Sequence, residues 1–238
     1  MWQIIDSGRN AAKKNMEDDQ SLLEGLADHQ RPILHLYDWE GDCATFGYFI
    51  KPEEYLDLKA VKAQSLSLAR RSTGGGIVFH LTDLAFSVLI PENYPHFSTN
   101  TLENYAYVNK LVLQVIRKFQ GYESFPLLLG KEKKGLDESC GSFCMAKPTR
   151  YDVMIEGKKI GGAAQRRVKH GLLHQGTISL AKLPEAYLKK ILIPGTRVIE
   201  GMQDNGSSLL GDSWTVKDLL EVREGIKKLL IEVFQQQS

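Results

Sequence analysis

The 238-residue sequence has few cysteines and no long apolar run. No segment approaches the roughly 20 consecutive apolar residues that a transmembrane helix needs. The opening MWQIIDSGRN also lacks the charged region and apolar core of a secretory signal. There are three cysteines, an odd number: Cys43, Cys140 and Cys144. These absences argue against a disulfide framework, and they predict a protein of the reducing cytoplasm.

The sequence also lacks an excess of charge of either sign. Lys and Arg number 30 and Asp and Glu number 29, which gives a net charge of +1. A near-neutral chain has no general attraction for nucleic acid or for an anionic membrane, so neither is predicted as a partner. Cys140 and Cys144 are spaced Cys-x3-Cys with no second Cys/His pair nearby, so no metal site is predicted.

Apolar periodicity predicts helices and strands in groups. The clearest helix is Thr101–Gln120, which carries one apolar stripe. Further helices are predicted over Ser7–His29, Pro52–Gln64, Pro184–Ile191 and Thr215–Phe234. Strands are predicted over Pro32–Trp39, Cys43–Tyr48, Ser65–Arg71, Gly76–His80 and Leu84–Ile90, and repeatedly from Phe125 to Leu180. This grouping favours an α+β fold with a mixed, largely antiparallel sheet flanked by helices.

The stretch RRSTGGGIVFH, residues 70–80, contains three consecutive glycines. It fits neither phosphate-loop template, GxxxxGK[ST] or GxGxxG followed by a helix. A glycine-rich turn between two strands explains it equally well. The flanking side chains nevertheless offer anion-pairing and hydrogen-bonding groups beside an unobstructed backbone, which is typical of a site for an elongated ligand with a polar head; they are Arg70, Arg71, Ser72 and Thr73.

A second stretch, GKKIGGAAQRR, places two lysines before a run of minimal side chains. The strand period of two predicts that Lys158 and Lys159 point to opposite faces, with Gly161 on the face of Lys159. One lysine then enters a pocket and the other points into water. A solvated surface position is the alternative for any single lysine. By itself, His174 is typical of a hydrogen-bonded strand histidine rather than of a catalyst.

A third stretch, CMAKPTRYD, begins at Cys144 and has basic neighbours in Lys147, Arg150 and, further along the chain, Lys159. A nearby cation stabilises the thiolate, which is the reactive form of cysteine. The alternative is an inert, buried cysteine. Cys140 is interpreted as structural.

Together these stretches resemble the lipoate-protein ligase A and cysteine-dependent octanoyltransferase family, which shares its catalytic fold with biotin-protein ligases. RRSTGGGIVFH is similar to the family's RRxTGGGxVxH, GKKIGGAAQRR to its GKKIxGxAQ, and LLHQGTISL to its LxHxGTL. The resemblance covers roughly residues 35 to 180. It implies an α+β domain with a mixed sheet around a tunnel.

The resemblance also implies site residues. Lys159 corresponds to the family's active-site lysine, and Gly74–Gly76 to a loop along which an acyl chain lies, where any Cβ would narrow the channel. The substrate-binding positions that it implies are Arg70, Ser72, Thr73, Gly74, Gly75, Gly76, His80, Gly162, Ala164, His174, Gly176 and Thr177.

The family contains two chemistries. CMAKPTRYD is similar to the CxxxPSxYD segment of the cysteine-dependent branch, which implies that Cys144 is a nucleophile and that no cofactor is needed. The implied reaction attaches an octanoyl or lipoyl group to a lysine of a 2-oxoacid dehydrogenase E2 lipoyl domain or of glycine cleavage protein H, with acyl carrier protein as the octanoyl donor. The alternatives are a lipoate ligase that uses ATP and Mg²⁺ at the same pocket, and a non-catalytic binder of acyl groups or acyl carriers.

The large ligases of the family carry a C-terminal accessory domain of about a hundred residues, the size of a small domain. Only about 58 residues follow Leu180. We therefore expect residues 1–238 to form a single catalytic domain without that accessory domain. The chain also departs from the family patterns in having Thr149 where the branch has serine, and Gly162 where a small hydroxyl residue is frequent.

Overall fold

The structure, a computed structural model, describes residues 1–121, 126–131 and 138–237. Its larger sheet has seven strands in the order β1-β2-β6-β10-β9-β8-β7. These strands are β1 Gln3–Asn10, β2 Ile33–Trp39, β6 Asp83–Pro91, β7 Leu127–Leu128, β8 Val153–Ile155, β9 Lys158–Val168 and β10 Gly171–Ser179. Phe125, where the strand-rich region was predicted to start, lies outside the described residues.

The larger sheet is mixed and largely antiparallel, as predicted. β1 runs parallel to β2, and every other neighbouring pair is antiparallel. β10 lies at the centre, and its Thr177 is opposite Ala85 on β6 and Gly162 on β9. This register brings β6 beside the consecutive strands β9 and β10, which are distant from it in sequence.

The described helices are α1 Ala12–Glu24, α2 Leu58–Ala63, α3 Thr101–Gln120, α4 Glu185–Ile191, α5 Val198–Asn205 and α6 Val216–Gln235. α3 and α6 cover one face of the larger sheet, and their apolar stripes form the main core with alternate residues of β6, β9 and β10. Burial of that apolar surface stabilises the arrangement. Asn100 caps α3, and Thr215 and Asp218 form a capping box on α6.

The other face of the larger sheet is covered by α1 and by a small sheet of order β4-β3-β5. The strands of the small sheet are β3 Cys43–Phe46, β4 Ser67–Arg70 and β5 Ile77–Phe79. β3 is parallel to β4 and antiparallel to β5. The space between the two sheets holds the candidate site.

Two predicted helices differ from the structure, and one observed helix was not predicted. The helix predicted from Ser7 begins at Ala12, because the preceding residues pair with β2 as an edge strand. The region predicted as the helix Pro52–Gln64 splits into a 3₁₀ turn and the short α2, which starts after the cap residue Asp57. α5 was not predicted, since its few apolar positions gave no clear helical stripe.

Among the described residues, no helix is both long and apolar enough to cross a membrane. The same residues contain no group of three or more His, Cys, Asp or Glu side chains arranged to hold a metal ion. The cytoplasmic location and the single-domain organisation stay predictions.

Candidate active site

The structure brings the predicted nucleophile and the predicted lysine together. Lys159 Nζ lies 3.6 Å from Cys144 Sγ and donates a hydrogen bond to the Cys144 carbonyl at 2.8 Å. Cys144 is half-buried, whereas Lys159 is only 1% exposed. An ammonium held this close stabilises a thiolate, so the pair has the electrostatics of an activated cysteine.

Cys144 is held by a segment that lies alongside β5, where Phe143 forms a parallel bridge with Ile77. The preceding residue, Phe143, is fully buried against Phe79, and the Cys144 amide donates to the carbonyl of Ile77 at 3.1 Å. A Cβ on Gly76 would lie 2.3 Å from the carbonyl oxygen of Ser142. Glycine is therefore needed at position 76 because the protein's own backbone passes there. The predicted explanation, a bound acyl chain against this glycine, does not apply at that position.

Asp152 completes the charge arrangement. Its Oδ2 lies 2.7 Å from Lys159 Nζ and accepts hydrogen bonds from the amide and hydroxyl of Thr149 at 2.6 and 3.0 Å. Burial disfavours the charge on Lys159, but Cys144 and Asp152 outweigh that effect and raise the pKa of the lysine. Thr149 differs from the family's serine only by a methyl group, and its hydroxyl supplies this bond.

Gly162 provides the room for the lysine side chain. A Cβ at this position would lie 2.4 Å from Lys159 Cε and 2.6 Å from Lys159 Nζ. The predicted partner on this face, Gly161, faces Val153 and Ile178 instead. The β8–β9 ladder is irregular: Val153 pairs with Gly161 and the next residue, Met154, pairs with Lys159, so one residue of β9 is skipped. This irregularity shifts the alternation of side chains along β9 by one residue. The prediction that Lys159 shares a face with Gly161 is therefore wrong, while Lys158 is exposed as predicted.

A cavity with an empty volume of about 350 Å³ lies between the two sheets, with Cys144 in its wall. α1, the two sheets and the glycine–alanine run of β9 all contribute to it. Its lining residues are Met16, Tyr37, Trp39, Thr45, Arg71, Val78, His80, Ala85, Cys144, Gly162, Ala163, Ala164, Gln175, Gly176 and Thr177. Five of the predicted site residues besides the nucleophile thus reach it: His80, Gly162, Ala164, Gly176 and Thr177.

One wall of this cavity is a buried hydrogen-bonded chain. Asp83 Oδ2 accepts from the Thr177 hydroxyl at 2.5 Å and lies 2.7 Å from His80 Nδ1. His80 Nε2 lies 2.7 Å from Thr45 Oγ1, which accepts from Arg71 at 2.7 Å. These bonds keep the side chains in fixed positions, although Asp83 Oδ1 is buried without a hydrogen-bond partner among the described residues.

Several predicted residues lie outside the cavity. Arg70 is exposed; its guanidinium stacks over Phe46 at 4.8 Å and donates to the Ile50 carbonyl at 3.2 Å. Ser72 shares an open surface groove with Arg70. Thr73 is buried and donates to Gln175 at 2.7 Å. Gly74, Gly75 and Gly76 are likewise absent from the lining.

His174 lies on the opposite face of the larger sheet. It is fully buried between Phe86 and Tyr105, and its Nδ1 is 2.8 Å from the Gln165 amide. Burial lowers the pKa of His174 to about 3, so the ring is neutral at physiological pH. It therefore has the surroundings of a core residue, the simpler of its two interpretations.

Three side chains near the nucleophile lie outside the predicted set of site residues. Arg71, not Arg70, faces inward and donates to the carbonyls of Gly74 and Gly76 at 3.2 and 2.7 Å. Tyr105 donates to the Ala163 carbonyl at 3.3 Å, and burial together with the nearby Cys144 and Asp152 raises the pKa of its hydroxyl. Asp152 had a sequence signal in the family motif, whereas Tyr105 was indistinguishable from the core stripe of α3.

Comparisons with known proteins show the family of this chain. The family described as "Lipoyl protein ligase A/B catalytic domain" matches residues 11–219. The Bacillus subtilis protein named octanoyltransferase LipM is 32% identical over 207 residues, covering 86% of this chain and 74% of that protein. The protein of the same name from Halalkalibacterium halodurans is 29% identical over 240 residues, covering 98% of this chain and 86% of that protein.

Solved structures show the same fold. The T. acidophilum protein Ta0514 with bound lipoic acid superposes with a TM-score of 0.69 at 21% identity, covering 98% of this chain and 85% of that one. A lipoate-protein ligase A bound with ATP also gives a TM-score of 0.69, at 22% identity and with the same shares of the two chains covered. The α+β architecture is thus that of these structures.

Proposed function

This chain belongs to the lipoyl protein ligase A/B catalytic domain family, and we propose that it is an octanoyltransferase that works through Cys144. The observation that carries the proposal is the 3.6 Å separation of Cys144 Sγ and Lys159 Nζ at the edge of a cavity. The LipM proteins to which the chain is similar are named octanoyltransferases. The reaction is transfer of an octanoyl group to a lysine of a lipoyl carrier domain.

The first half-reaction forms an acyl-enzyme. The Cys144 thiolate attacks the thioester carbonyl carbon of an octanoyl-acyl carrier protein, and the carbon–sulfur bond to the carrier breaks. The leaving thiolate takes up a proton from solvent, which balances the proton that Cys144 loses to solvent when it ionises. The ammonium of Lys159, fixed by Asp152, stabilises the attacking thiolate and the negative charge that develops on the carbonyl oxygen.

The second half-reaction releases the product. The amine of the acceptor lysine attacks the carbonyl carbon of the Cys144 thioester, the carbon–nitrogen bond forms, and the carbon–sulfur bond breaks. The proton lost by the amine is taken up by the departing sulfur. The acceptor is a lipoyl domain of a 2-oxoacid dehydrogenase E2 or glycine cleavage protein H. A thioester donor is already activated, so this reaction needs no ATP.

The cavity between the sheets accommodates the octanoyl tail. Its inner end is formed by Met16, Tyr37, Trp39 and Ala85, which belong to one buried apolar cluster. Gly162 and Ala164 keep the wall beside the nucleophile free of side chains, so the carbonyl end of the tail reaches Cys144.

Intact-protein mass spectrometry tests the proposal. After incubation with octanoyl-acyl carrier protein, we expect one octanoyl adduct on the native chain and none on Cys144→Ala. Cys140→Ala is the matched control, because Cys140 is buried against α5 and its thiol donates to the Arg197 carbonyl at 3.3 Å. This control should retain the adduct and the transfer to a lipoyl domain.

Two other outcomes contradict the proposal. If Cys144→Ala keeps full lipoylation that depends on ATP and free lipoate, the chain is a ligase that uses the same pocket. If the native chain binds the acylated carrier but forms no adduct and transfers nothing, it is a non-catalytic binder.

A further inference from the structure

A second cavity lies next to the acyl cavity and is lined by Met145, the residue after the nucleophile. It has an empty volume of about 700 Å³ and is bounded by β5, β10, α4 and α5. Its inner walls are mainly apolar, with half-buried Ile199 and Met202 from α5 and buried Leu188 from α4. The exposed Lys182, Glu185 and Gln203 also line it.

The two cavities are neighbours and share part of their lining close to Cys144. Val78 and Thr177 line both of them, and Met145 lines the second while its neighbour Cys144 lines the first. The carbonyl carbon of a thioester carries two substituents, the acyl chain and the sulfur of the carrier arm. A nucleophile between two cavities therefore has separate places for these two halves of one substrate.

The charges of the second cavity suit a neutral occupant. Among its described lining residues, Lys182 is the one cationic side chain, and its Nζ lies 2.5 Å from Asp212 Oδ1. The lining also contains the carboxylates of Asp83 and Glu185. A triphosphate needs cationic partners, and this lining offers one lysine beside two carboxylates. An uncharged chain with amide groups fits better.

We propose that the second cavity binds the pantetheine-type arm of the donor, the amide-containing thiol chain by which acyl carriers hold their acyl group. This inference rests on the proposed function. As the bond between the acyl carbon and Cys144 Sγ forms, the bond from that carbon to the donor sulfur breaks. The arm then leaves as a protonated thiol through the second cavity, while the octanoyl tail stays in the first.

The test compares two donors that differ only in the arm. Octanoyl-pantetheine and octanoyl-N-acetylcysteamine carry the same amide next to the sulfur, so their intrinsic reactivities match. Binding of the longer arm is expected to lower KM for acyl-enzyme formation by about tenfold, equivalent to about 1.4 kcal/mol. Rapid quench followed by mass spectrometry measures the rate of adduct formation on Cys144.

Ile199→Trp narrows the second cavity without touching the acyl cavity. We expect this variant to raise KM for octanoyl-pantetheine by about tenfold and to change KM for octanoyl-N-acetylcysteamine by less than about twofold. Glu200→Trp is the matched control, since Glu200 is the next residue of α5 and is exposed outside the lining. Leu183→Trp, at a different wall, gives the same test if Ile199→Trp does not fold, which circular dichroism shows.

Three results overturn the inference. The first is that the native chain gives equal KM values for the two donors. The second is that the folded variants Ile199→Trp and Leu183→Trp slow acylation by both donors equally. The third is that ATP competes with the pantetheine donor in the native chain but no longer does so in Ile199→Trp. That result would mean that the second cavity binds a nucleotide. A complete lack of acylation by either donor instead defeats the proposed function itself.

Discussion

Asp152 and Lys159 form an ion pair that is closed to water: Oδ2 and Nζ are 2.7 Å apart, and the two side chains are 1% and 2% exposed. Taking two charges out of water costs more than a single attractive contact usually returns. A buried ion pair is therefore expected where the charge serves the function of the site. Here the ammonium of Lys159 lies 3.6 Å from Cys144 Sγ, where it can stabilise the thiolate. The ion pair thus fixes the position of a β9 side chain, Lys159, beside the thiol of Cys144.

Asp152→Asn keeps the shape of the side chain and removes its charge. Because Asp152 helps to raise the pKa of Lys159, the variant loses the ammonium at lower pH, and the alkaline limb of the rate of acylation moves to lower pH. We expect a rate lower by about 10- to 100-fold at neutral pH and a free energy of unfolding lower by about 3 kcal/mol. Quenched-flow acylation over a pH series and urea denaturation measure the two effects.

Glu232→Gln is the control for that variant, because it removes an exposed ion pair with Lys118. Such pairs contribute about 0–1 kcal/mol, so activity should stay at the native level. An Asp152→Asn enzyme with a native pH profile would show that the carboxylate does not act on the lysine.

Gly162→Ala introduces a methyl group 2.4 Å from Lys159 Cε. The methyl group would also lie 2.8 Å from Asp152 Oδ1, and both side chains are buried and paired. We therefore expect a stability lower by about 1–3 kcal/mol and an acylation rate lower by about tenfold or more. Gly130→Ala is the control, since a Cβ added to Gly130 would have no atom within 4 Å. Melting temperatures near the native value, together with native acylation by Gly162→Ala, would contradict this account.

Ala85→Leu fills the inner end of the acyl cavity. Ala85 is 4% exposed and lies beside Met16, Tyr37 and Trp39. We expect transfer from an octanoyl donor to fall by about tenfold, while a butyryl donor of the same carrier keeps its native rate. The ratio of the two rates is an internal control for folding, and the cost of the larger side chain is about 1–3 kcal/mol. Equal losses for both donors would mean that the tail lies elsewhere.

His174 makes stability depend on pH. Its pKa is about 3 in the folded protein and about 6.5 in an unfolded chain. Between these values the unfolded state binds the extra proton, so stability falls as pH falls, by roughly 1.4 kcal/mol per pH unit. Urea denaturation at several pH values between 4 and 7 should show a shallower slope for His174→Gln than for the native chain. The exposed His96→Gln should keep the native slope, and identical slopes for all three proteins would refute the assignment.

The pairing of Cys144 with Lys159 was predictable from sequence because short motifs carried both residues. The helices α3 and α6 were predictable for a different reason, since their apolar stripes repeat over 20 residues each. The edge strand β1 was not, because it depends on pairing with β2 and leaves a weak local pattern.

The amino-acid sequence by itself determined the chemical groups of the site and the α+β class, since residue types and their periodicity are local properties. Only the tertiary structure decided which side chains face one another. The ladder irregularity in β9 turned Lys159 towards Gly162, the pairing of β10 placed His174 on the α3 side, and Arg71 rather than Arg70 came to face inward. A shift of one residue moves a strand side chain to the opposite face, and that shift is set by neighbouring strands, which the local pattern does not contain.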